Sequence, residues 1–340
     1  MILSRLLATA VLMVTPVAAF AVPTTIDLST YVRVGRFNLP EPTRTTPPTG
    51  SLLAQEASAV TFNRDTNSLF IVGDGSTSVV QVSKTGQFID SMTLAQQPGA
   101  PQGTAFYDLE GLAYVGQGQF VFVEERYRQA NLFTYTPGTT LQTSQVQIVD
   151  LGTDVGNVGI EDITTDPLTG GFVAVKEENP LGIFQTTLNF AAGTASNGSA
   201  TTVNSTNLFN PALLGLTDFA GVFALSNLPS LTGTPDGDGL LVLSQVDGRV
   251  VETSRIGVIR SSLTITADAG DTQTIANKGF EGIAMDDDGI LYLVNEEGGG
   301  SQAFPQLWVY APATVSVPEP ASAALLLAGL GLAVGWRSWR

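Results

Sequence analysis

The chain of 340 residues contains neither cysteine nor histidine. The first absence excludes disulfide bonds, thiol nucleophiles and cysteine-based zinc sites. The second excludes a Ser-His-Asp triad and removes the commonest nitrogen ligand of transition metals. Any metal must therefore be held by oxygen atoms of Asp, Glu, Asn and main-chain carbonyls, and this ligand set suits calcium or magnesium.

Positive charge is also scarce. Lys and Arg number 15 against 31 Asp and Glu, which gives a formal net charge of −16. This balance argues against nucleic acid as a partner, because phosphate binding needs clustered Lys and Arg. An acidic surface favours cations or simple solubility instead. With 43% hydrophobic residues and 36 glycines, the composition is that of a folded chain rather than a disordered one.

The first 21 residues have the pattern of a secretory signal peptide. Arg5 supplies a short positive region, Leu6 to Val14 an apolar core, and Ala19-Phe20-Ala21 a small-x-small cleavage site. We expect signal peptidase to cleave after Ala21 and the mature protein to be exported. A buried helix is the alternative, and Pro16 and the cleavage pattern argue against it.

Residues 313–340 form a second segment of distinct character. An uninterrupted apolar run covers residues 321–336, which is shorter than the about 20 residues of a comfortable membrane span. Arg337 and Arg340 follow, and their positive charge favours the cytoplasmic side. Pro318 and Pro320 prevent a helix from continuing back into the preceding domain. The arrangement predicts a short transmembrane span that serves as a temporary anchor.

This tail resembles the PEP-CTERM sorting signal of Gram-negative bacteria. The matching features are the apolar span, the terminal arginines and the motif Val317, Pro318, Glu319 and Pro320. The resemblance implies processing by an exosortase-type enzyme and delivery to the cell surface or the extracellular matrix. A permanent C-terminal anchor is the alternative.

The region between the two ends is a repeat. Related stretches begin about 50 to 60 residues apart, a spacing typical of propeller blades, at Glu56, Asp108, Gly159, Asp218 and Gly279. Each unit has an acidic or small residue, an alternating apolar run, a turn and a second β-prone run such as QFVFVEE or ILYLVNEE. Third strands follow, and fainter fourth strands are predicted at FIDSMTL, VQIVDLG, TTVNSTNLF and SSLTITAD.

The predicted fold is an all-β propeller of five four-stranded blades within residues 22–312, with apolar helices at both termini. The fifth unit has no outer strand of its own, and we expect YVRVGRFNLP to supply it and to close the ring. A six-bladed ring is the alternative if residues 186–209 contain a degenerate blade. Long amphipathic helical patterns are absent from this region, which argues against an α/β fold.

The repeats resemble the SdiA-regulated domain family of exported β-propellers over most of residues 31–312. The most specific pieces are DLEGLAY with FVEER, GIEDIT with VKEENP, and GFEGIAMDDDGILYLVNEE. The resemblance implies a calcium-binding propeller without a well-established enzymatic activity. The chain departs from the family pattern at Ala220-Gly221 in the fourth unit and at Ala57-Ser58-Ala59 in the first.

Glutamate recurs at the start of the first strand of three units, as Glu110, Glu161 and Glu281. First strands line the channel of a propeller, so these carboxylates should converge and raise one another's pKa unless a cation lies among them. They are the main candidate calcium ligands. The competing interpretation is that they bind main-chain amides and arginines and so hold the ring together.

A second set of acids follows the neighbouring strand as pairs of glutamates. Alternation allows only one member of each pair to face the channel. In blade 2 it places Phe122 with Glu124 on one face and Val123 with Glu125 on the other, without indicating which face is the channel. The weaker candidate metal ligands are Glu125, Glu178 and Glu297. The run Asp286-Asp287-Asp288-Gly289 lacks the spacing of an EF-hand and is predicted to be a turn.

Three functions follow from these patterns. The first is an exported, non-enzymatic surface or matrix propeller that binds calcium and a ligand the sequence does not identify. The second is a calcium-dependent hydrolase of an ester, lactone or phosphate, in which the three first-strand glutamates and Asn295 form the site. The third is a scaffold without a metal. The sequence assigns no catalytic residue.

Overall fold

A computed structural model of the protein describes residues 22–267, 279–297 and 304–313. The strands in chain order are β1 Tyr31–Asn38, β2 Ala57–Asn63, β3 Ser68–Gly73, β4 Ser78–Val82, β5 Phe88–Leu94, β6 Leu109–Gly116, β7 Gln119–Glu124, β8 Gln129–Thr134, β9 Thr140–Leu141, β10 Gln147–Asp150, β11 Ile160–Asp166, β12 Gly171–Lys176, β13 Gly182–Thr186, β14 Leu188–Asn189, β15 Thr194–Ala195, β16 Gly221–Ala224, β17 Leu240–Ser244, β18 Arg249–Thr253, β19 Ile259–Thr264, β20 Phe280–Met285, β21 Leu291–Asn295 and β22 Gln306–Pro312. Short 3₁₀ helices lie at Leu28–Thr30, Thr143–Gln145, Pro211–Leu214, Leu225–Asn227 and Pro229–Leu231.

The strands form five blades around a central channel. Blade 1 contains β2 to β5 with β9 added in parallel at its edge, blade 2 contains β6, β7, β8 and β10, blade 3 contains β11 to β13, and blade 4 contains β16 to β19. The innermost strands β2, β6, β11, β16 and β20 contact one another in succession, and β20 contacts β2. The ring is therefore closed, and the predicted five-bladed, all-β propeller is confirmed.

Blade 5 is completed by the N-terminal strand. Its sheet has the order β1-β22-β21-β20, with β1 antiparallel to β22 and Tyr31 opposite Pro312. The guanidinium carbon of Arg33 lies 4.6 Å from the ring centroid of the fully buried Trp308, a cation–π contact across this pairing. The expectation that the orphan strand near the N-terminus closes the last blade is confirmed.

Blade 3 departs from the predicted four strands. Residues 201–209, where a fourth strand was expected, form no strand, and the two-residue strands β14 and β15 make a separate hairpin. The hairpin is too short to be a sixth blade. The edge of β13 is satisfied instead by the Asn207 side-chain oxygen, which accepts from the Ile183 nitrogen at 3.0 Å, and by the Leu208 nitrogen. Hydrogen bonds from Asn, Ser and Thr side chains can take the place of the main-chain hydrogen bonds of a regular strand ladder.

Apolar side chains between neighbouring sheets hold the blades together. All residues of β3 are buried, with Leu69 and Ile71 packed toward blade 5 and Phe70 and Val72 toward blade 2. A strand that is covered on both faces needs apolar residues at successive positions. This explains why the second strands read as continuous apolar runs rather than as alternating ones.

The innermost strands approach one another closely where they carry glycine. A Cβ on Gly111 would lie 2.8 Å from the Cα of Asp162 in blade 3, and a Cβ on Gly282 would lie 2.8 Å from the nitrogen of Val60 in blade 1. In blade 3 the equivalent residue is Asp162, whose carboxylate accepts from the Val222 nitrogen of blade 4 at 2.8 Å. Glycine at the first two positions therefore permits a narrow ring.

Asp166, at the end of β11, joins blades 3 and 4. Both of its oxygens accept from Arg255, at 2.7 and 2.9 Å, and the hydroxyl groups of Thr169 and Ser226 also donate to it. Burial alone raises the pKa of Asp166, but the hydrogen bonds from Arg255, Thr169 and Ser226 outweigh it and leave the pKa below the ordinary value. The pair is thus a charged link between two blades.

Several expectations lie outside the described residues. They are the signal peptide with Ala19 and Ala21, the span 321–336, the terminal helices, and the motif Val317, Pro318, Glu319 and Pro320. Within the described part of the chain, no helix is both long and apolar enough to cross a membrane.

We predict that Gly111→Ala lowers the free energy of unfolding by about 1–3 kcal/mol, because the new methyl group forces the innermost strands of blades 2 and 3 apart. Chemical denaturation measures the change. Ala59→Gly, at the equivalent position of blade 1, is the control and should cost no more than about 1 kcal/mol. An unchanged stability in Gly111→Ala would contradict the close approach.

We predict that Asp166→Asn lowers the free energy of unfolding at pH 7 by about 3–5 kcal/mol, because Arg255 loses its buried partner. A lowered carboxyl pKa contributes stability above the unfolded pKa, and this contribution disappears as the pH falls through the folded pKa. The difference in the free energy of unfolding between the variant and the natural protein should therefore become smaller toward pH 2. Asp238→Asn, which alters a largely exposed pair with Arg260, should change stability by less than about 1 kcal/mol.

Candidate metal centre

Four of the five innermost strands contain a β-bulge at the same position. The pairing between first and second strands skips one residue in blades 1, 2, 3 and 5, and the skipped residues are Ser58, Glu110, Glu161 and Glu281. A bulge leaves the extra residue unpaired and redirects its side chain. Ala220 is the equivalent residue of blade 4, immediately before β16. We call these five residues the inner tier.

A second ring of residues follows the second strand of each blade. The strand register makes these positions equivalent: Asp74, Glu125, Glu177, Gln245 and Glu296. We call these five residues the outer tier and the two tiers together the acidic mouth. Three residues of the inner tier and four of the outer tier carry carboxylates.

The inner tier brings Glu110, Glu161 and Glu281 together. Glu110 and Glu161 are each only 8% exposed. Burial raises the pKa of all three carboxyls well above the ordinary value, and neighbouring carboxylates raise it further. Glu281 is the strongest charged neighbour of Glu110, and Glu110 is that of Glu161. These three carboxylates therefore repel one another across the channel.

Glu125 is the member of its pair that faces the acidic mouth. It is 2% exposed, is hydrogen-bonded to Glu161, and accepts from the Gly159 nitrogen at 2.8 Å. Burial raises its pKa to about 7. Glu125 thus connects blade 2 to the first strand of blade 3.

Glu124, its neighbour, points into blade 2. One carboxylate oxygen accepts from the Tyr107 nitrogen at 2.7 Å, and the other accepts from the Asn131 amide at 2.9 Å. Burial raises its pKa to about 7, against the opposing effect of these two hydrogen bonds. Glu124 therefore stabilises its own blade and lies away from the acidic mouth.

In the other two blades the structure places Glu177 and Glu296 in the outer tier rather than Glu178 and Glu297. Burial and neighbouring carboxylates raise the pKa of Glu177 to about 7 and also raise that of Glu296. Lys176 compensates the charge of Glu177 only in part: it lowers the pKa of that carboxyl, but burial and neighbouring carboxylates outweigh it, and its ammonium donates to the main-chain carbonyl of Glu178.

Residues of the outer tier meet the inner tier of the next blade. Asp74 of blade 1 lies beside Glu110 of blade 2, and Glu125 of blade 2 lies beside Glu161 of blade 3. At these two boundaries a carboxylate of the outer tier lies against a carboxylate of the inner tier. Like charges at such distances are costly unless a proton or a cation separates them.

The other three boundaries are different. At the boundary between blades 4 and 5, Gln245 donates to Glu281 with 3.0 Å between Nε2 and Oε1. At the boundary of blades 3 and 4 the inner-tier residue is Ala220, and at the boundary of blades 5 and 1 it is Ser58. Neither residue carries a charge. Among the described residues, an outer-tier acid therefore lies against an inner-tier acid of the next blade only in blades 1 to 3, whereas Glu281 and Glu296 repel each other within blade 5.

Two groups of three carboxylates have ligand oxygens within 4.8 Å of one another. The groups are Asp74, Asp108 and Glu110, and Glu125, Glu161 and Glu177. Among the described residues, the one cation that pairs with either group is Arg126, which bonds to Asp108. Asp74 Oδ1 is buried without a hydrogen-bond partner. The donor set fits a hard divalent cation such as calcium, which takes several carboxylate oxygens.

Two other sequence candidates lie elsewhere. Asn295, which the hydrolase hypothesis needs, is fully buried in blade 5, where its oxygen accepts from the Gln306 nitrogen at 2.8 Å. Asp286 lies in a turn after β20, accepts from the Ile290 nitrogen at 2.9 Å, and pairs with Lys84 at 2.8 Å. The acidic run is therefore the turn that its spacing predicted.

Sequence reasoning missed Asp108 and Gln245. Both occupy repeated positions, but their roles do not follow from those positions. Asp218, the blade 4 equivalent of Asp108, accepts from Ser244 and from the Gln245 nitrogen and stays within its own blade. Asp108 lies beside Asp74 of the neighbouring blade, whereas Asp218 bonds only to residues of its own blade. Such contacts between blades cannot be read from the sequence.

The opposite end of the channel has different chemistry. It opens into a cavity of about 220 Å³ to which all five innermost strands contribute. Its lining is mainly hydroxyl and apolar, with Thr61, Tyr114, Thr165, Phe223 and Met285 among the contributors. Among the described residues, the lining of this cavity contains no carboxylate.

Comparison with known proteins agrees with this architecture. The family model described as SdiA-regulated matches residues 48–298. The chain belongs to the SdiA-regulated family. A second model, the PEP-CTERM protein-sorting motif, matches residues 316–340. This motif implies export and sorting to the cell envelope by an exosortase-type system, as the resemblance of the tail indicated.

Solved structures resemble this member of the SdiA-regulated family at low identity. A luciferin-regenerating enzyme is 9% identical over 82% of this chain and 95% of its own, with a TM-score of 0.43. Glutaminyl cyclase of Myxococcus xanthus is 12% identical over 83% and 95%, with a TM-score of 0.41. The β-propeller domain of Myceliophteria thermophila Cps50 (Swd1) is 12% identical over 75% and 66%, with a TM-score of 0.36. Such similarities say nothing about function.

We predict that Glu161→Gln raises the free energy of unfolding of the chelator-treated protein by about 1–2 kcal/mol at pH 8. The substitution removes a buried charge that its neighbours repel, and one pKa unit corresponds to about 1.4 kcal/mol. Glu178→Gln, which changes an acid outside the two tiers, should leave stability unchanged. A loss of stability in Glu161→Gln would show instead that this carboxylate holds the ring together.

Proposed function

We propose that this protein is an exported β-propeller that binds calcium in its acidic mouth and serves as a non-enzymatic binding module. Its place of action would be the cell surface or the extracellular matrix. In this proposal signal peptidase removes residues 1–21 and an exosortase-type enzyme processes the tail. The PEP-CTERM match supports the second step, because that motif directs sorting to the envelope.

The observation that carries the calcium proposal is the convergence of buried carboxylates without matching positive charge. Glu110 and Glu161 are nine-tenths buried, and the described residues place no ion-pair partner beside either of them. A charged carboxylate in such a position needs a partner of opposite charge or must take up a proton. Calcium suits the site because it accepts six to eight oxygens in flexible geometry.

Glu281 has a different part in this proposal. Its carboxylate is already hydrogen-bonded by Gln245 and Ser58. It therefore adds negative charge across the channel rather than a free ligand. We propose Glu110 and Glu161 as direct ligands, and Glu125, which is hydrogen-bonded to Glu161, as a further ligand.

A hydrolase is the alternative that the same cation would permit. A metal in the mouth could polarise a substrate oxygen. The position of Asn295, bonded within its own sheet, removes one of the groups on which that alternative depends. The binding function is therefore preferred.

We predict that calcium stabilises the purified protein by about 2.7 kcal/mol when present at a hundredfold excess over its Kd. Thermal unfolding with calcium and with chelator measures the effect. The double variant Glu110→Gln with Glu161→Gln should lose this stabilisation, because its direct ligands are gone.

The double variant Glu178→Gln with Glu297→Gln is the matched control, since it removes the same charge outside the tiers, and it should keep the stabilisation. Equal melting temperatures of the natural protein with calcium and with chelator would refute the proposal. Calcium-dependent turnover of a simple aryl ester that Glu161→Gln abolishes would favour the hydrolase instead.

A further inference from the structure

A small cavity of about 60 Å³ lies at the edge of blade 3, where the fourth strand is missing. Arg128, from the turn between β7 and β8, and Lys176, the last residue of β12, both line it. Asn204, Ser205 and Asn207, from the segment that forms no strand, contribute the rest of its polar lining. Two cations thus share one small cavity in a chain whose net charge is −16.

The guanidinium group of Arg128 is buried with most of its hydrogen-bond donors unused. The residue is 0% exposed, and its Nη1 donates to the main-chain carbonyl of Val203. Nε and Nη2 have no hydrogen-bond partner among the described residues. These two nitrogens form one edge of the planar guanidinium, and such an edge binds a carboxylate or a phosphate through two parallel hydrogen bonds. Because buried polar groups nearly always have partners, the unused edge points to a ligand.

The charge of Arg128 is not neutralised within the described part of the chain. Burial lowers the pKa of its guanidinium, and no carboxylate of these residues acts in the opposite direction. A buried charge without a counter-charge is costly. A bound anion would therefore supply both the missing acceptors and the missing negative charge.

Lys176 brings a second positive charge to the cavity. It is 4% exposed, and its ammonium donates to two main-chain carbonyl groups, which leaves one of its three donors unused among the described residues. Burial and the charge of Arg128 lower its pKa. Glu177, Glu178 and Glu125 raise it, but their effect is the smaller one. The two cations repel each other, so an anion between them would stabilise both.

The remaining lining supplies a neutral donor and access to solvent. Ser205 Oγ is buried and has no hydrogen-bond partner in the described ranges. Asn204 and Asn207 are exposed, so the cavity reaches the surface beside them. A cavity needs about 10–15 Å³ to hold one water molecule, so this one has room for a phosphate or sulfate ion but not for a nucleotide.

We propose that this cavity binds a tetrahedral oxyanion, phosphate or sulfate, on the free edge of Arg128, with Lys176 and Ser205 as further donors. The oxyanion is either a free ion or the terminal group of a larger molecule whose remainder stays outside. Its two negative charges match the two cations. A bound anion would hold residues 201–209 against blades 2 and 3 and so take the place of the missing strand. The inference does not depend on calcium binding.

Calorimetric titration of the full-length protein with inorganic phosphate and with sulfate, at constant ionic strength, tests the inference. We expect one ion per chain. Arg128→Met should weaken binding about a hundredfold or more, because two hydrogen bonds to a charged group are lost. Ser205→Ala keeps both cations and should weaken binding about tenfold, so the test does not depend on the folding of the arginine variant. Arg64→Met, which removes a partly exposed arginine outside the cavity, is the matched control and should bind like the natural protein.

Phenyl phosphate distinguishes the two sources of the oxyanion. Binding as tight as that of inorganic phosphate would assign the site to a terminal phosphate group, and binding of the inorganic ions alone would assign it to a free anion. No binding of any of the three probes would overturn the proposal. An affinity that is unchanged in both Arg128→Met and Ser205→Ala would also overturn it, because the anion would then lie elsewhere.

Discussion

The innermost strands of neighbouring blades pass so close to one another that two of the contact positions, Gly111 and Gly282, admit no side chain. At Gly111 and Gly282 there is no room for a Cβ beside the backbone of the next blade. This close approach determines the rest of the channel. The bulged residue near the start of an innermost strand therefore points into a narrow space that it shares with the neighbouring blades. A carboxylate in this space is repelled by the other carboxylates there, whether or not it also has a hydrogen-bond partner.

The fold could be read from the sequence because packing between blades imposes a simple pattern. Second strands covered on both faces give continuous apolar runs, and the turns between strands carry Gly, Asp and Asn. That residues 31–38 complete the last blade followed from the number of strands, because the fifth unit has no outer strand of its own. The fourth strand of blade 3 could not be read in the same way, since Asn207 satisfies the sheet edge through its side chain.

The sequence indicated where the candidate site lies, but not which acid of each pair belongs to it. Repetition alone placed Glu110, Glu161 and Glu281 at the channel. The bulge at each of these residues interrupts strict alternation, so counting along the strand cannot say which acid of a following pair turns inward. The choice of Glu177 over Glu178 depends on where the register resumes, and the role of Gln245 depends on a contact with the next blade.

The C-terminal tail leaves the propeller from β22, and β22 is not an edge strand. It lies between β21 and the N-terminal strand β1 and forms a ladder with each. A pull on the tail, such as attachment to the envelope would transmit, therefore acts on two ladders at once. The N-terminal strand that closes the ring also braces the point of attachment. A mechanical load on the tail would be shared across blade 5 before any strand could separate.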